Sequence, residues 1–304
     1  MNKYIAYGLN IESELELPNL ITAPFNAQNS GTDVYIKQGD ISKAGLTDAK
    51  LVKPNSQANQ HQLWLDVPNT GRFLIENGTN ITVESHLTAD ILSIQTHLLS
   101  SCIGAIIHQR NELIFNGCAV VKDGVAMLFL GNSGEGKSVL AAHAVKRKMQ
   151  VLSDDLIRID SNRLAQPGPP FIKLWKDSIA KLELENTNHL KQVRPQIEKY
   201  IFPLNEALYS QPIEVKYIFL LSSHNKGTFE FEELSGLEKF QPLKNHMYLQ
   251  HLVNIVDNRT GNLKQLAQLS NQVRLQRLIY PNQGFQINEV LDRIQLQFEA
   301  EDCH

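Results

Sequence analysis

The residues of this chain best suited to chemistry are Gly131-Asn132-Ser133-Gly134-Glu135-Gly136-Lys137-Ser138, which fit the spacing G-x-x-x-x-G-K-[ST]. Glycines at these places let successive backbone N–H groups turn inward around a polyphosphate without Cβ clashes. At the end of such a loop Lys137 reaches the β- and γ-phosphates of a nucleotide such as ATP, and Ser138 offers its hydroxyl to Mg²⁺. Ser138 also opens an expected helix, Ser138–Lys148, whose positive dipole end would face the bound anion. A tight glycine turn with no ligand is the plainer interpretation of the same residues.

The setting favours the phosphate loop. An apolar run, Val125–Leu130, predicts a strand before it, and Val139, Leu140, Ala144 and Val145 repeat at helical spacing after it. Val151-Leu152-Ser153-Asp154-Asp155 then reads as an apolar strand ending in two carboxylates. Strand ends are where open α/β sheets place ligands. Neighbours on a strand face opposite sides, so the two acids are expected to differ in role. The assignment adopted here has Asp155 join Ser138 at Mg²⁺ while Asp154 accepts the proton of an attacking hydroxyl. The reverse assignment stays open, as does a solvated turn or helix cap.

These groups need elements to hold them. Before residue 88 the pattern predicts strands at Tyr4–Ile11, Asp33–Ile36, Gln62–Val67, Arg72–Ile75 and Asn80–Val83, with a hairpin turn at Asn77-Gly78 and a polar connection over Gly39–Gln62. Apolar residues at helical spacing predict a helix from Thr88, its expected N-cap, to His108. His97 and His108 read as packed side chains rather than ligands, since no second His or Cys stands at metal spacing. Glu112–Val121 and Val125–Leu130, joined by Lys122-Asp123-Gly124, form a hairpin leading into the phosphate loop. Beyond it the pattern gives a short helix at Lys176–Leu184 and a strand at Val215–Leu221 with Thr228–Glu233 as its neighbour. Helices Met247–Val256 and Asn262–Gln272 follow, broken at Asn258–Gly261, then a strand Leu275–Tyr280 and a last helix near Ile287–Phe298. The fold class is α/β, in the α+β sense, with a β-rich region over 1–87 and a nucleotide-binding region over 88–304.

With 304 residues, 42% hydrophobic, 20% charged and a formal charge of −3, the chain has no basic field for nucleic acid. No opening apolar segment and no run of roughly 20 apolar residues argues for a leader or a membrane span, so a cytoplasmic protein is expected. Cys102, Cys118 and Cys303 lack metal or disulfide spacing, and Cys102 and Cys118 read as small buried hydrophobes. Self-association into a homo-oligomer is left open.

Taken in order, a hairpin, G-N-S-G-E-G-K-S, a helix and a strand carrying Ser153-Asp154-Asp155 resemble the nucleotide-binding core of the HPr kinase/phosphorylase family. Pro167-Gly168-Pro169-Pro170-Phe171-Ile172-Lys173-Leu174-Trp175 and the first hundred residues resemble, more loosely, HPr-kinase-like proteins without the N-terminal domain of the true HPr kinases. The resemblance implies a core like that of phosphoenolpyruvate carboxykinase and ATP-dependent, Mg²⁺-requiring phosphorylation of a hydroxyl, that of a serine. The acceptor would be a peptide, a protein or a small molecule. Gly131–Ser138 would hold the phosphates, Lys137 would act in catalysis, and Asp154 and Asp155 would supply base and metal contact. It also brings Lys199 near the nucleotide. Two features depart from the family. Asn116-Gly117 stands where the family has His-Gly, and no Glu-x-Arg-Gly-x-Gly segment follows the acids, so HPr as acceptor and reverse phosphorolysis are not carried over. Asn116 also supports an alternative, a nucleotide-binding switch that transfers little or no phosphate. An ordinary Walker-type ATPase or GTPase is disfavoured by the absence of an N-K-x-D guanine motif and of a Walker-B run of four apolar residues ending in a single acid.

Overall fold

A computed structural model of the protein describes residues 1–23, 31–184, 189–195, 197–225, 228–253, 259–281 and 289–294. Cys303 and Asn258 lie outside the described residues, as do parts of the expected Met247–Val256 and Ile287–Phe298 helices. The rest of the expected break, residues 259–261, is already helical, so the helix expected at Asn262–Gln272 starts at Arg259.

The first sheet takes its strands from residues 2–85: β1 (Asn2–Ala6), β2 (Leu9–Ser13), β3 (Ile21–Thr22), β4 (Val34–Gln38), β5 (Leu51–Lys53), β6 (Ser56–Ala58), β7 (Gln62–Val67), β8 (Gly71–Glu76) and β9 (Asn80–Ser85). They lie in the order β3-β1-β2-β4-β9-β8-β7-β6-β5. Period-two burial selects the inner face, as in β2, where Leu9 and Ile11 are buried while Asn10 and Glu12 stay partly exposed. The expected strand Tyr4–Ile11 is in fact a hairpin. Tyr7 and Gly8 both take left-handed backbone, φ 54° and 66°, and fold the run in two. Asn77-Gly78 makes the turn expected of it. Gly39–Gln62 holds two short strands, β5 and β6, which its polar composition hides.

Against this sheet lies a helical run of α1 (Ile91–His97), a π turn (Leu98–Cys102) and α2 (Ile103–Gln109). By length and composition Ile91–Gln109 could cross a bilayer, but 67% of it is buried inside the fold, where Ile94, Leu98, Leu99, Ile103, Ile106 and Ile107 join the sheet's inner face in one apolar core. Its N-cap is Asp90 rather than Thr88, because the Asp90 carboxylate accepts hydrogen bonds from the Leu92 and Ser93 N–H groups.

The second sheet carries the site. Its strands are β10 (Leu113–Lys122), β11 (Val125–Leu130), β12 (Gln150–Ile159), β13 (Leu164–Ala165), β16 (Ile213–His224), β17 (Glu230–Leu234) and β18 (Arg274–Pro281), in the order β11-β10-β12-β13-β16-β18-β17. β11 also pairs, in parallel, with β16, so β10 to β13 and β16 form a closed circuit of pairings. The Asp123-Gly124 turn, with φ 50° and 76°, closes the β10–β11 hairpin. Thr228–Glu233 corresponds to β17, but its partner is β18 rather than the preceding strand β16. Helix α3 (Lys137–Lys146) packs Leu140, Ala141 and Ala144 against one face, and α7 (Arg259–Gln272) packs Leu266 and Leu269 against another cluster. A separate ribbon, β14 (Phe171–Trp175) with β15 (Lys199–Pro203), leads into the short helix α4 (Lys176–Leu182) beside α3. The short helices α5 (Phe240–Asn245) and α6 (Gln250–Val253) complete the described elements before α7. These mixed sheets with covering helices give the α/β class that the sequence predicts.

Candidate functional site

β11 ends at Leu130, and the glycine-rich loop turns directly into α3. Gly134 and Gly136 hold φ of 93° and 69°, backbone in which a side chain would be strained, and Gly136 is the residue before the first helical turn. The helix therefore starts at Lys137, one residue before the expected Ser138. The Lys137 ammonium donates to the Gly131 carbonyl at 2.9 Å and the Asn132 carbonyl at 2.7 Å. Burial draws its pKa below the usual lysine value, while Cys118, Asp154, Asp155 and Glu135 oppose that shift. From β18, the Tyr280 hydroxyl donates to the Glu135 carbonyl at 2.8 Å and tethers the loop's middle to the sheet.

The acid pair does not end its strand. β12 continues to Ile159, and both carboxylates sit within it, opposite Gly117 and Cys118 of β10. Nor do they face opposite ways. Asp155 takes φ 77°, which breaks strand alternation, and both acids open on the same cleft. Ser138 Oγ donates to Asp154 Oδ1 at 2.9 Å, and the backbone N–H of Lys173 donates to Asp154 Oδ2 at 3.1 Å. The Lys173 ammonium pairs with Asp155 Oδ2 at 2.8 Å. One residue of β14 thus holds both acids, one by its backbone and one by its side chain. Burial and the neighbouring Asp155 charge raise the Asp154 pKa above the ordinary carboxylate value. Asp155 goes the other way, held low first by Lys173.

Asn116, Ser133, Gly134, Gly136, Lys137, Ser138, Val139, Asp154, Asp155, Lys173, Trp175 and Lys199 all line this cleft. Of the predicted residues, Gly131, Asn132 and Glu135 are not among its lining residues; their carbonyls accept from Lys137 and Tyr280 and brace the loop. The carboxylate bonded to Ser138 is that of Asp154, not the Asp155 paired with it on sequence grounds. Sequence reasoning gave no role to Lys173, Trp175 or Tyr280. The one available signal was Lys173 itself, a lone cation inside the otherwise apolar Phe171-Ile172-Lys173-Leu174. A larger cavity, about 650 Å³, opens at the far end of α3 between Lys122, Arg147 and Tyr209, away from the acids and the loop.

The HPr kinase/phosphorylase of Limosilactobacillus reuteri strain DSM 20016 is 27% identical over 151 residues, 44% of this chain and 46% of that protein. Over that stretch the chain is similar to HPr kinase/phosphorylases. The same enzyme from L. reuteri strain JCM 1112 matches to the same extent, and the chain spans about half the length of these curated relatives. The solved HPr(Ser) kinase/phosphatase of Coxiella burnetii aligns over 62% of this chain and 94% of its own, at 12% identity and a TM-score of 0.32. No protein-family model matches the chain. Asn116, which stands where the resemblance leads one to expect a histidine, lies on β10 and lines the cleft with Asp155.

Proposed function

We propose that the protein is an ATP-dependent kinase that moves the γ-phosphoryl group to a hydroxyl, that of a serine, on a peptide, protein or small molecule. The observation that carries this reading is the Ser138–Asp154 hydrogen bond at the end of the glycine loop, with a second carboxylate, Asp155, held ionised by Lys173 in the same cleft. A switch that only binds nucleotide needs the first of these and has no use for the second.

The donor set suits Mg²⁺. A serine hydroxyl and a carboxylate 2.9 Å apart are hard oxygen ligands, and Mg²⁺ in nucleotide sites commonly takes one or two protein oxygens and completes its shell with phosphates and water. Ser138 and Asp154 would hold the ion, which when bound supplies neutralisation of phosphate charge. Lys137 would leave its two carbonyls for the phosphates, compensating charge that develops in transfer. Asp155 then accepts the proton of the attacking hydroxyl. Its low pKa matters little, because phosphoryl transfer relies chiefly on positioning and charge stabilisation. This reverses the roles first assigned to the two acids and follows from which of them Ser138 reaches.

The same proposal keeps 1–87 and 88–304 as regions of the sequence that share one core, since the helical run opening the second packs on the sheet of the first, and it keeps a cytoplasmic setting. It includes no nucleic-acid partner. The relatives are named for action on HPr; here the acceptor is left as a hydroxyl compound, because the amide of Asn116 cannot shuttle a proton as a histidine can. Incubating the protein with γ-labelled ATP, Mg²⁺ and a cell extract tests the reading. Label arriving on a protein or a small molecule only with active protein supports it; ATP binding without transfer to any acceptor favours the switch.

A further inference from the structure

Resting on the reading that this cleft takes ATP, we infer that Trp175 is the platform on which the nucleobase stacks, with Lys199 fixing the ring. Phe171, Ile172 and Leu174 of β14 are buried, yet the next residue, Trp175, leaves 55% of its surface in water at the rim of the cleft. A large ring left exposed beside a charged cleft has hydrophobic area to offer a ligand. Its position is fixed. Trp175 pairs with Lys199 at the end of the β14–β15 ribbon, and the Lys199 ammonium lies 5.7 Å from the ring centroid, backing one face. The Lys176–Glu198 ion pair and the Lys176 N–H bond to the Glu198 carbonyl hold the ribbon end closed.

The layout of a nucleotide then decides the occupant. With its β- and γ-phosphates at Lys137 and Ser138, the acid pair and Lys173 take the transfer end. The α-phosphate, sugar and base then extend to the rest of the cleft lining, which includes Val139 in the first turn of α3 and the ribbon end at Trp175. Val139 and Trp175 line the same cleft. A base reaching that rim meets an indole face, which accepts any π-system without reading its hydrogen-bonding edge.

The protein's two tryptophans make the test direct, because the other, Trp64, is 4% exposed within the first sheet. Mg-ATP and Mg-tripolyphosphate, which carries the phosphates without a base, are titrated against the full chain by fluorescence and calorimetry. The expected result is quenching by ATP that disappears in Trp175→Phe, and ATP affinity roughly tenfold or more above that of tripolyphosphate. Trp175→Phe should keep that preference and Trp175→Ala should lose it. Equal affinity for both ligands, or a preference that survives Trp175→Ala, overturns the base platform while leaving the phosphate loop standing. If neither ligand binds the wild-type protein, the kinase reading falls and this inference with it.

Discussion

Charge is held to different ends in a pair within the first sheet and in the cleft beside the second. In the first sheet Arg72 and Glu84 face each other across β8 and β9 in a two-point pair, and Glu84 also accepts the Ile41 N–H. Arg110 likewise ties Asp33 to the Gly78 carbonyl. Each cluster is closed: an acid, a guanidinium and a backbone group that together fasten neighbouring strands. Beside the second sheet Asp154 and Asp155 of β12, Lys137 of α3 and Lys173 of the β14–β15 ribbon converge on one cleft, and the arrangement leaves Asp154 with a raised pKa. Charge crowded in this way is what a bound cation and polyphosphate would relieve. Perturbed groups of this kind gather at functional sites, whereas closed pairs serve the fold.

The largest break in that contrast should come from Asp155→Asn. Removing a general base costs transfer about 10²–10⁴-fold, with ATP affinity changed far less. The same change strands the Lys173 ammonium, whose side chain is 10% exposed. It should also destabilise the protein by about 1–3 kcal/mol, below the figure for full burial because Asp155 keeps 33% of its side chain accessible. Because the folded pKa of Asp155 is depressed, its stabilisation is present above the ordinary value of 3.8 and fades as pH falls through the lower folded value. Wild type and variant should therefore converge in acid. Denaturant melts across pH 2–7 and single-turnover transfer assays measure both effects, and full transfer activity in Asp155→Asn would move the base elsewhere.

Next in size is Lys137→Ala. The loss of a charge-assisted phosphate contact should weaken ATP about ten- to hundredfold by calorimetry. Unchanged affinity would remove the phosphate loop from the site.

Asp154→Asn sharpens the comparison by its sign. A carboxyl whose folded pKa is raised stabilises most when protonated, and that advantage is lost as pH climbs past 3.8 toward the folded value. At pH 7 the neutral variant should melt higher than wild type without ligand, yet lose the Mg²⁺ dependence of ATP binding. A lower melting temperature would place Asp154 with the structural pairs of the first sheet.

How much of this was written in the sequence depends on how local the cause is. The glycine loop was legible because its chemistry fixes residue types at fixed spacing, and the Asn77-Gly78 and Asp123-Gly124 turns because positive φ selects their residues. The facing of the acids was not legible. Alternation predicts opposite sides, and the left-handed backbone of Asp155 answers to β10 and β14 packed around it rather than to its neighbours in sequence. Lys173 was hidden for the same reason, since its value lies in two acids 18 and 19 residues away. The parallel pairings of β2 with β4 and β4 with β9 join segments that no short pattern connects.

Arg72→Ala in the first sheet gives the reference for a purely structural pair: a loss of about 1 kcal/mol in stability, with ATP affinity unmoved. Measured by denaturant melts and calorimetry, any fall in affinity would show that the two sheets are not separate in function.

The smallest expected effect falls on Tyr280→Phe, and it probes the contrast at its border. Tyr280 stands on β18, an element of the fold, but its hydroxyl donates to the Glu135 carbonyl at 2.8 Å, a group of the glycine-rich loop. A hydrogen bond of this kind is worth about 0.5–1.5 kcal/mol net. Spent on holding a loop in its binding shape, it should appear as lower affinity rather than lower stability, since the loop must be ordered again when phosphate arrives. Tyr280→Phe should thus weaken ATP roughly two- to tenfold with a melting temperature close to wild type. The phenylalanine ring fills the same space, so packing is not the variable. If the variant instead melts lower and binds ATP as before, the tether belongs to the fold, and the loop keeps its shape through Gly134, Gly136 and the Lys137 contacts alone.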